Sequence, residues 1–240
     1  MFIKNRWRDS RIVHKIAHSG SMDIEYVKKR ETKKSLKYRL WRRTYEVLTA
    51  IDEFCPRPPQ DIIDLGTADS RMLDMVHKKY PDARCAGVEY NQELVDFGRA
   101  KFLDLELIQG DIQSLDFPDN SFDVAISTAV IEHVLDPTKV MRETRRVLKS
   151  GGIIVLTAPD PFWEYLATMV GHLKNDQHNE VMNLLQLSDL ARKSGFAVLK
   201  AQKFMLSPIG MPFEFFVEKW IRRLHLDFMM ANQLLVAEKC

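Results

Sequence analysis

An apolar run that ends in an acid, a glycine and a string of small residues, DIIDLGTADSRML at positions 61 to 73, leaves few folds open to this chain. Ile62, Ile63 and Leu65 read as a short strand buried on both faces, the kind found in parallel sheets. The chain must then reverse sharply, and Gly66 permits backbone angles and a close approach that a side chain would block. Thr67, Ala68 and Ser70 keep the loop low, and the helix that opens at about Asp69 offers free amide donors to a ligand. By itself such a turn is also a common structural device of α/β proteins.

The next stretch sharpens the reading. RCAGVEY, residues 84 to 90, is a second buried strand ending at Glu89, 23 positions after Gly66. At about that spacing this architecture places a carboxylate that accepts hydrogen bonds from ribose hydroxyls. Beyond it strand and helix alternate: helix 70–79, strand 84–89, helix 91–101, strand 104–108, strand 122–127, helix 137–148 and strand 152–157. A helix over 187–194 ended by Gly195 and two late strands, 196–206 and 233–238, complete the pattern, with a helical insertion between the last two. Alternation with tight turns implies a Rossmann-like, doubly wound α/β fold, with a mostly parallel sheet, a late antiparallel strand and helical insertions. We expect a basic arm and amphipathic helix over 1–55 and the main domain over 56–240, with insertions near 160–186 and 209–226.

Charge is unevenly spread. Residues 1 to 50 hold 14 Lys and Arg against 5 Asp and Glu, so the net charge of +2 combines a basic arm with an acidic body. The arm could meet phosphates, anionic headgroups or an acidic substrate. The blander expectation is a solvated face: Tyr38, Trp41, Tyr45, Leu48 and Ile51 recur at helical spacing, so a helix over 35–54 packs on the domain with its cations outward. Three cysteines without metal-ligand spacing argue against a disulfide framework or a zinc site. MFIKNRWRDSR lacks the apolar core of a signal peptide and no uncharged run is long enough to span a bilayer, so a cytoplasmic location is expected.

Four segments in order, DIIDLGTADS, VEYN, GDIQSLDFPDNSFDVAIS and TAVIEHVLDPTKVMRETRRVLKSGGIIVLTAPDP, covering residues 61 to 161, resemble class I S-adenosylmethionine-dependent methyltransferases, in the subgroup of the ubiquinone and menaquinone biosynthesis enzymes. The resemblance implies S-adenosylmethionine as cofactor and S-adenosylhomocysteine as product. It implies that Asp64, Gly66, Thr67 and Ala68 form the turn around the methionine end, with Asp64 facing the ammonium. Glu89 would take the ribose hydroxyls, Tyr90 would lie against the adenine, Asp111 would accept from the adenine amino group, and the Ile112 amide would meet a ring nitrogen. Ser127 and Thr128 would line the methyl-transfer site. One departure stands out: the family's first turn carries three alternate glycines, and here Ala68 and Ser70 occupy the second and third positions. A nicotinamide dehydrogenase fits less well, because its fingerprint needs glycines where Ala68 and Arg71 stand.

Methyl transfer draws mostly on positioning and water exclusion, and a hydroxyl acceptor also gains from a base. His133 and His178 are the candidates, with His172 a weaker one. Relatives with an ExxEH pattern bind a divalent metal through it, but Ala129 stands where the first glutamate would be, so no metal is expected. In MPFEFFVEKWIRRLHL, from Met211, the residues Phe213, Phe216, Val217, Trp220 and Leu224 share a helical face. Core packing is the plain reading; an acceptor pocket, a dimer seam and peripheral membrane contact are the others. The expected activity is methylation, at oxygen, of a small-molecule, glycan-precursor or lipid-linked acceptor. An RNA methyltransferase and a noncatalytic cofactor-binding relative are the alternatives, with nucleic acid the less favoured partner; oligomeric state is left open.

Overall fold

The computed structural model describes residues 24–169 and 181–240. Its centre is a seven-stranded sheet, and the period-two pattern of the strands explains why both faces are covered. Ile63, Leu65, Ala125, Ile154 and Leu156 project to one side, and Ile62, Val124, Ile126, Ile153 and Val155 to the other; all are buried. A strand apolar on both faces is stable only between two layers of helices.

In chain order the elements are α1 (Ile24–Thr32), α2 (Lys34–Phe54), β1 (Asp61–Leu65), α3 (Arg71–Lys79), β2 (Arg84–Glu89), α4 (Gln92–Lys101), β3 (Glu106–Gln109) and β4 (Phe122–Thr128). A 3₁₀ turn (Ile131–His133), α5 (Pro137–Val147), β5 (Leu148–Pro159), α6 (Pro161–Met169), α7 (Leu184–Lys193) and β6 (Phe196–Phe204) follow, then α8 (Glu214–Arg223), a second 3₁₀ turn (Asp227–Met229) and β7 (Asn232–Lys239). The sheet order is β3-β2-β1-β4-β5-β7-β6. β1 pairs in parallel with both β2 and β4, and β7 runs antiparallel to β5 and β6. The strand order therefore reverses direction between β1 and β4, which is where open sheets leave a crevice for ligands.

Local chemistry sets the helix starts. Asn91 accepts from the Glu93 amide at 3.0 Å, Asp136 caps α5 through the Lys139 amide at 3.0 Å with Pro137 in its first turn, and Asn183 and Gln186 form a capping box on α7. Helices α5 and α7 contribute Val140, Met141, Val147, Leu187 and Ala191 to one core face; α2 and α3 supply residues that include Val47, Ile51, Leu73 and Val76 to the other.

Two expectations about α2 need correction. Its buried stripe is Thr44, Val47, Ala50 and Ile51, whereas Trp41 and Tyr45 are exposed. Nor are all its cations outward: Arg42 is fully buried, held by Glu46 and, at 2.6 Å, by Glu218 of α8. The acids turn the helix so that its aromatic side faces out. Helices α1 and α6 add to the elements expected from periodicity.

Candidate functional site

The turn after β1 is held by β2. The Gly66 and Thr67 amides both donate to the Val88 carbonyl, at 2.8 and 3.1 Å, and the Ser70 amide closes the loop onto the Thr67 carbonyl at 2.9 Å. Gly66 lies at φ +77°, and a Cβ there would come within 2.6 Å of a Val130 methyl, so both conformation and space require glycine. Ala68 and Ser70 sit at φ 50° and 59°, in the same left-handed region. The two positions where the resemblance expects glycine therefore keep a glycine-like backbone with the smallest side chains in place, at a cost of about 1 to 2 kcal/mol each.

Glu89 ends β2 beneath this turn. Its two carboxylate oxygens accept from the Ala68 and Asn91 amides, each at 3.0 Å, so the acid is fixed by the backbone of the turn after β1 and of the start of α4. Each oxygen has two acceptor positions, which leaves capacity for a ligand's hydroxyls. Burial pushes the Glu89 carboxyl above its usual range, against the pull of those amides. Asp64, buried at the end of β1, is driven by burial to about 7, with the charges of Glu89 and Asp69 adding to the rise and the nearby Thr67 hydroxyl opposing it. Farther along, Tyr90 and Asp111 are half-buried and Ile112 is buried; Asp111 accepts from the Gln113 amide at 2.8 Å. Ser127, at the end of β4, is buried, and its hydroxyl has no hydrogen-bond partner among the described residues. Thr128 beside it reaches the Met72 sulfur at 3.5 Å. An acceptor carboxylate, an acid at a strand end and an unused buried hydroxyl fit a nucleoside with a charged amino-acid tail.

Helices α1 and α2 cover the part of this crevice formed by the turn after β1. Arg30 of α1 and Leu36, Arg39, Leu40 and Arg43 of α2 line it opposite Asp64, Gly66, Thr67, Ala68 and Thr128. Arg30 is itself buried and pairs with buried Asp69 at 2.6 Å; Arg71 lies 3.3 Å from the same carboxylate and also pairs with Glu31. Sequence reasoning missed this role, although Leu36 and Leu40 at helical spacing with Arg39 and Arg43 signal a helix face that is partly covered.

Beyond β4, Val130 packs on Gly66 and leads into the 3₁₀ turn, where His133 Nε2 stands 4.0 Å from an oxygen of buried Glu132. Among the described residues no group of three His, Cys, Asp or Glu side chains could hold a metal ion. His172 and His178 lie outside the described residues. The aromatic stripe of α8 is not core: Phe213, Phe216, Trp220 and Leu224 are all exposed, because α8 turns Glu214, Glu218 and Ile221 inward instead. Among the described residues no helix is long and apolar enough to cross a membrane.

A family profile described as "Methyltransferase domain" matches residues 63–156. The demethylmenaquinone methyltransferase of Thermotoga maritima is 26% identical over 182 residues, 66% of this chain and 77% of that protein. An uncharacterized 37.1 kDa protein in a transposon of Streptomyces fradiae is 31% identical over 160 residues, 62% of this chain and 46% of that protein. The chain spans about half the length of the first curated relatives it matches. A SAM-dependent methyltransferase structure, also from Thermotoga maritima, shares the fold, with a TM-score of 0.66 at 18% identity over 94% of this chain and all of that one. The matched segment contains the turn, Glu89, Asp111 and the end of β4, so residues 63–156 carry the pattern of a methyltransferase domain.

Proposed function

We propose that this chain transfers a methyl group from S-adenosylmethionine to the oxygen of a small or lipid-linked acceptor. The observation that carries the reading is the left-handed turn of Gly66, Ala68 and Ser70 bonded to Glu89, which shapes a nucleoside-binding crevice at the switch point of the sheet. When bound, the cofactor supplies a methyl carbon activated by its sulfonium, and a C–O bond forms as the C–S bond breaks and its electron pair returns to sulfur.

The chain's own part is binding, orientation and proton removal. Glu89 holds the ribose hydroxyls; Tyr90, Asp111 and Ile112 hold the adenine. Asp64 faces the ammonium, and Arg39, on the crevice side of α2, answers the carboxylate. Gly66, Thr67 and Ala68 keep the methionine end close to the backbone, while Ser127 and Thr128 orient the transferring methyl. The lid formed by α1 and α2 excludes competing water. His133 takes the hydroxyl proton and buried Glu132 steadies its ring; the oxygen assignment rests on this pair, with His178 the second candidate. The arm favours a small acceptor over RNA, because Arg30 and Arg42 are used in buried ion pairs rather than held out for phosphates.

Calorimetry with S-adenosylhomocysteine tests the site. Glu89→Ala should weaken binding by about 1.5 to 3 kcal/mol, the scale for losing charge-assisted hydrogen bonds. His133→Ala should lower turnover by roughly 10² to 10⁴ at unchanged cofactor affinity. Absence of binding by the intact protein at millimolar concentration would overturn the proposal.

A further inference from the structure

We infer that the outer face of α8 and the loop before it form a docking surface for an anionic lipid bilayer. Between Met205 and Leu226 the chain has two acids, Glu214 and Glu218, and both are buried. Glu214 accepts from the Leu206 and Ser207 amides and from Tyr38, and Glu218 accepts from the Met205 amide at 2.8 Å and from Arg42. With its acids spent on the loop backbone and on α2, α8 shows solvent only apolar and cationic groups.

Phe213, Phe216 and Trp220, at 82, 62 and 47% exposure, fall on one side of the helix, and the exposed cations Lys219 and Arg223 flank them. Arg223 lies over the Trp220 ring at 5.6 Å, so charge and aromatic surface present together. Phe213 carries a left-handed φ of 60° at the start of the helix, a strained conformation for a bulky side chain that stays in water. An aromatic face with a basic flank matches the boundary between acyl chains and anionic headgroups. A second copy matches it poorly: a two-fold contact would set Lys219 and Arg223 against their own equivalents with no exposed acid in this stretch to answer them. The docking goes beyond the methyl-transfer reading and stands without it.

Sedimentation with vesicles tests it, using phosphatidylcholine alone and phosphatidylcholine carrying phosphatidylglycerol, with S-adenosylhomocysteine calorimetry and circular dichroism on every variant as independent checks of the crevice and the fold. The intact protein should bind the anionic vesicles and release them at high salt. Lys219→Glu with Arg223→Glu should cut that partition by roughly thirtyfold or more, and Phe216→Ser with Trp220→Ser by at least about tenfold, both with the fold and cofactor affinity unchanged. No binding to anionic vesicles, or binding that neither pair of substitutions reduces, would overturn the inference. A concentration-dependent dimer in light scattering that Phe216→Ser with Trp220→Ser dissolves would also overturn it and assign the face to a second copy.

Discussion

Asp64 is the residue where burial and chemistry meet most directly. With its native carboxyl near 7 and an unfolded value near 4, the folded state holds a proton across that interval that the unfolded chain has lost. Its share of stability is therefore greatest below about pH 4, falls as pH rises, and levels off above about 7. Ligand binding runs the other way, because an ammonium placed against Asp64 favours the carboxylate. Affinity for S-adenosylhomocysteine should strengthen from about pH 5.5 to 7.5, by at most roughly tenfold per unit, with one proton released on binding. Calorimetry in buffers of different ionisation enthalpy reads both quantities, and Asp64→Asn should lose most of the pH dependence; a dependence unchanged in that variant would place the titrating group elsewhere. Gly66, Ala68 and Ser70 add the geometric half of the argument. The glycine was legible in the sequence as a requirement, but the conformations of Ala68 and Ser70 were not, since local preference disfavours the backbone that the surrounding bonds to Val88 and Glu89 impose.

Among the elements, α2 does the most varied work, because each side of it meets a different neighbour. Leu36, Arg39, Leu40 and Arg43 line the crevice, Val47, Ala50 and Ile51 enter the core, and Tyr38 and Arg42 hold α8 through Glu214 and Glu218. Arg42→Met should destabilise the protein by about 3 to 5 kcal/mol, since it leaves Glu46 and Glu218 facing one another without their buried cation. A urea midpoint lowered at unchanged slope would show it, whereas a midpoint close to wild type would mean that the acids simply take up protons. The extent of this helix was readable from its period to within a residue, but its rotation was not. Aromatic side chains at helical spacing look like core, and the partner that inverts the face, Glu218, lies 176 positions away. The same partner explains why the α8 stripe reads as core in sequence and faces solvent in the fold.

At the scale of the whole molecule, β1, β2, β4 and β5 of the parallel half of the sheet were legible because they are apolar runs linked by the crossovers that hold α3 and α5, while edge strand β3, which reaches β4 without a helix, has only Leu107 and Ile108 to announce it. β7 was visible as a late strand, yet its insertion between β5 and β6 depends on long-range pairing, Val155 against Val236 and Ala201 against Leu235, that no local pattern announces. The crevice was legible where strand ends and turns build it, and hidden where α1 and α2 cover it. These parts make ligand binding a property of the global fold: β1, the turn after it and β4 supply the crevice floor, Glu89 of β2 holds that turn through the Ala68 amide, and α1 and α2 form the roof. A ligand that binds only the assembled crevice stabilises everything that assembles it. At about one hundred times its dissociation constant, S-adenosylhomocysteine should add about 2.7 kcal/mol, which for a chain of this size raises Tm by roughly 5 to 11 °C. Thermal unfolding followed at increasing ligand should move as one cooperative transition, and at the same concentration Glu89→Ala should show a smaller shift. A transition that splits, with part of the signal unmoved by ligand, would show that the arm or the antiparallel edge unfolds independently of the crevice.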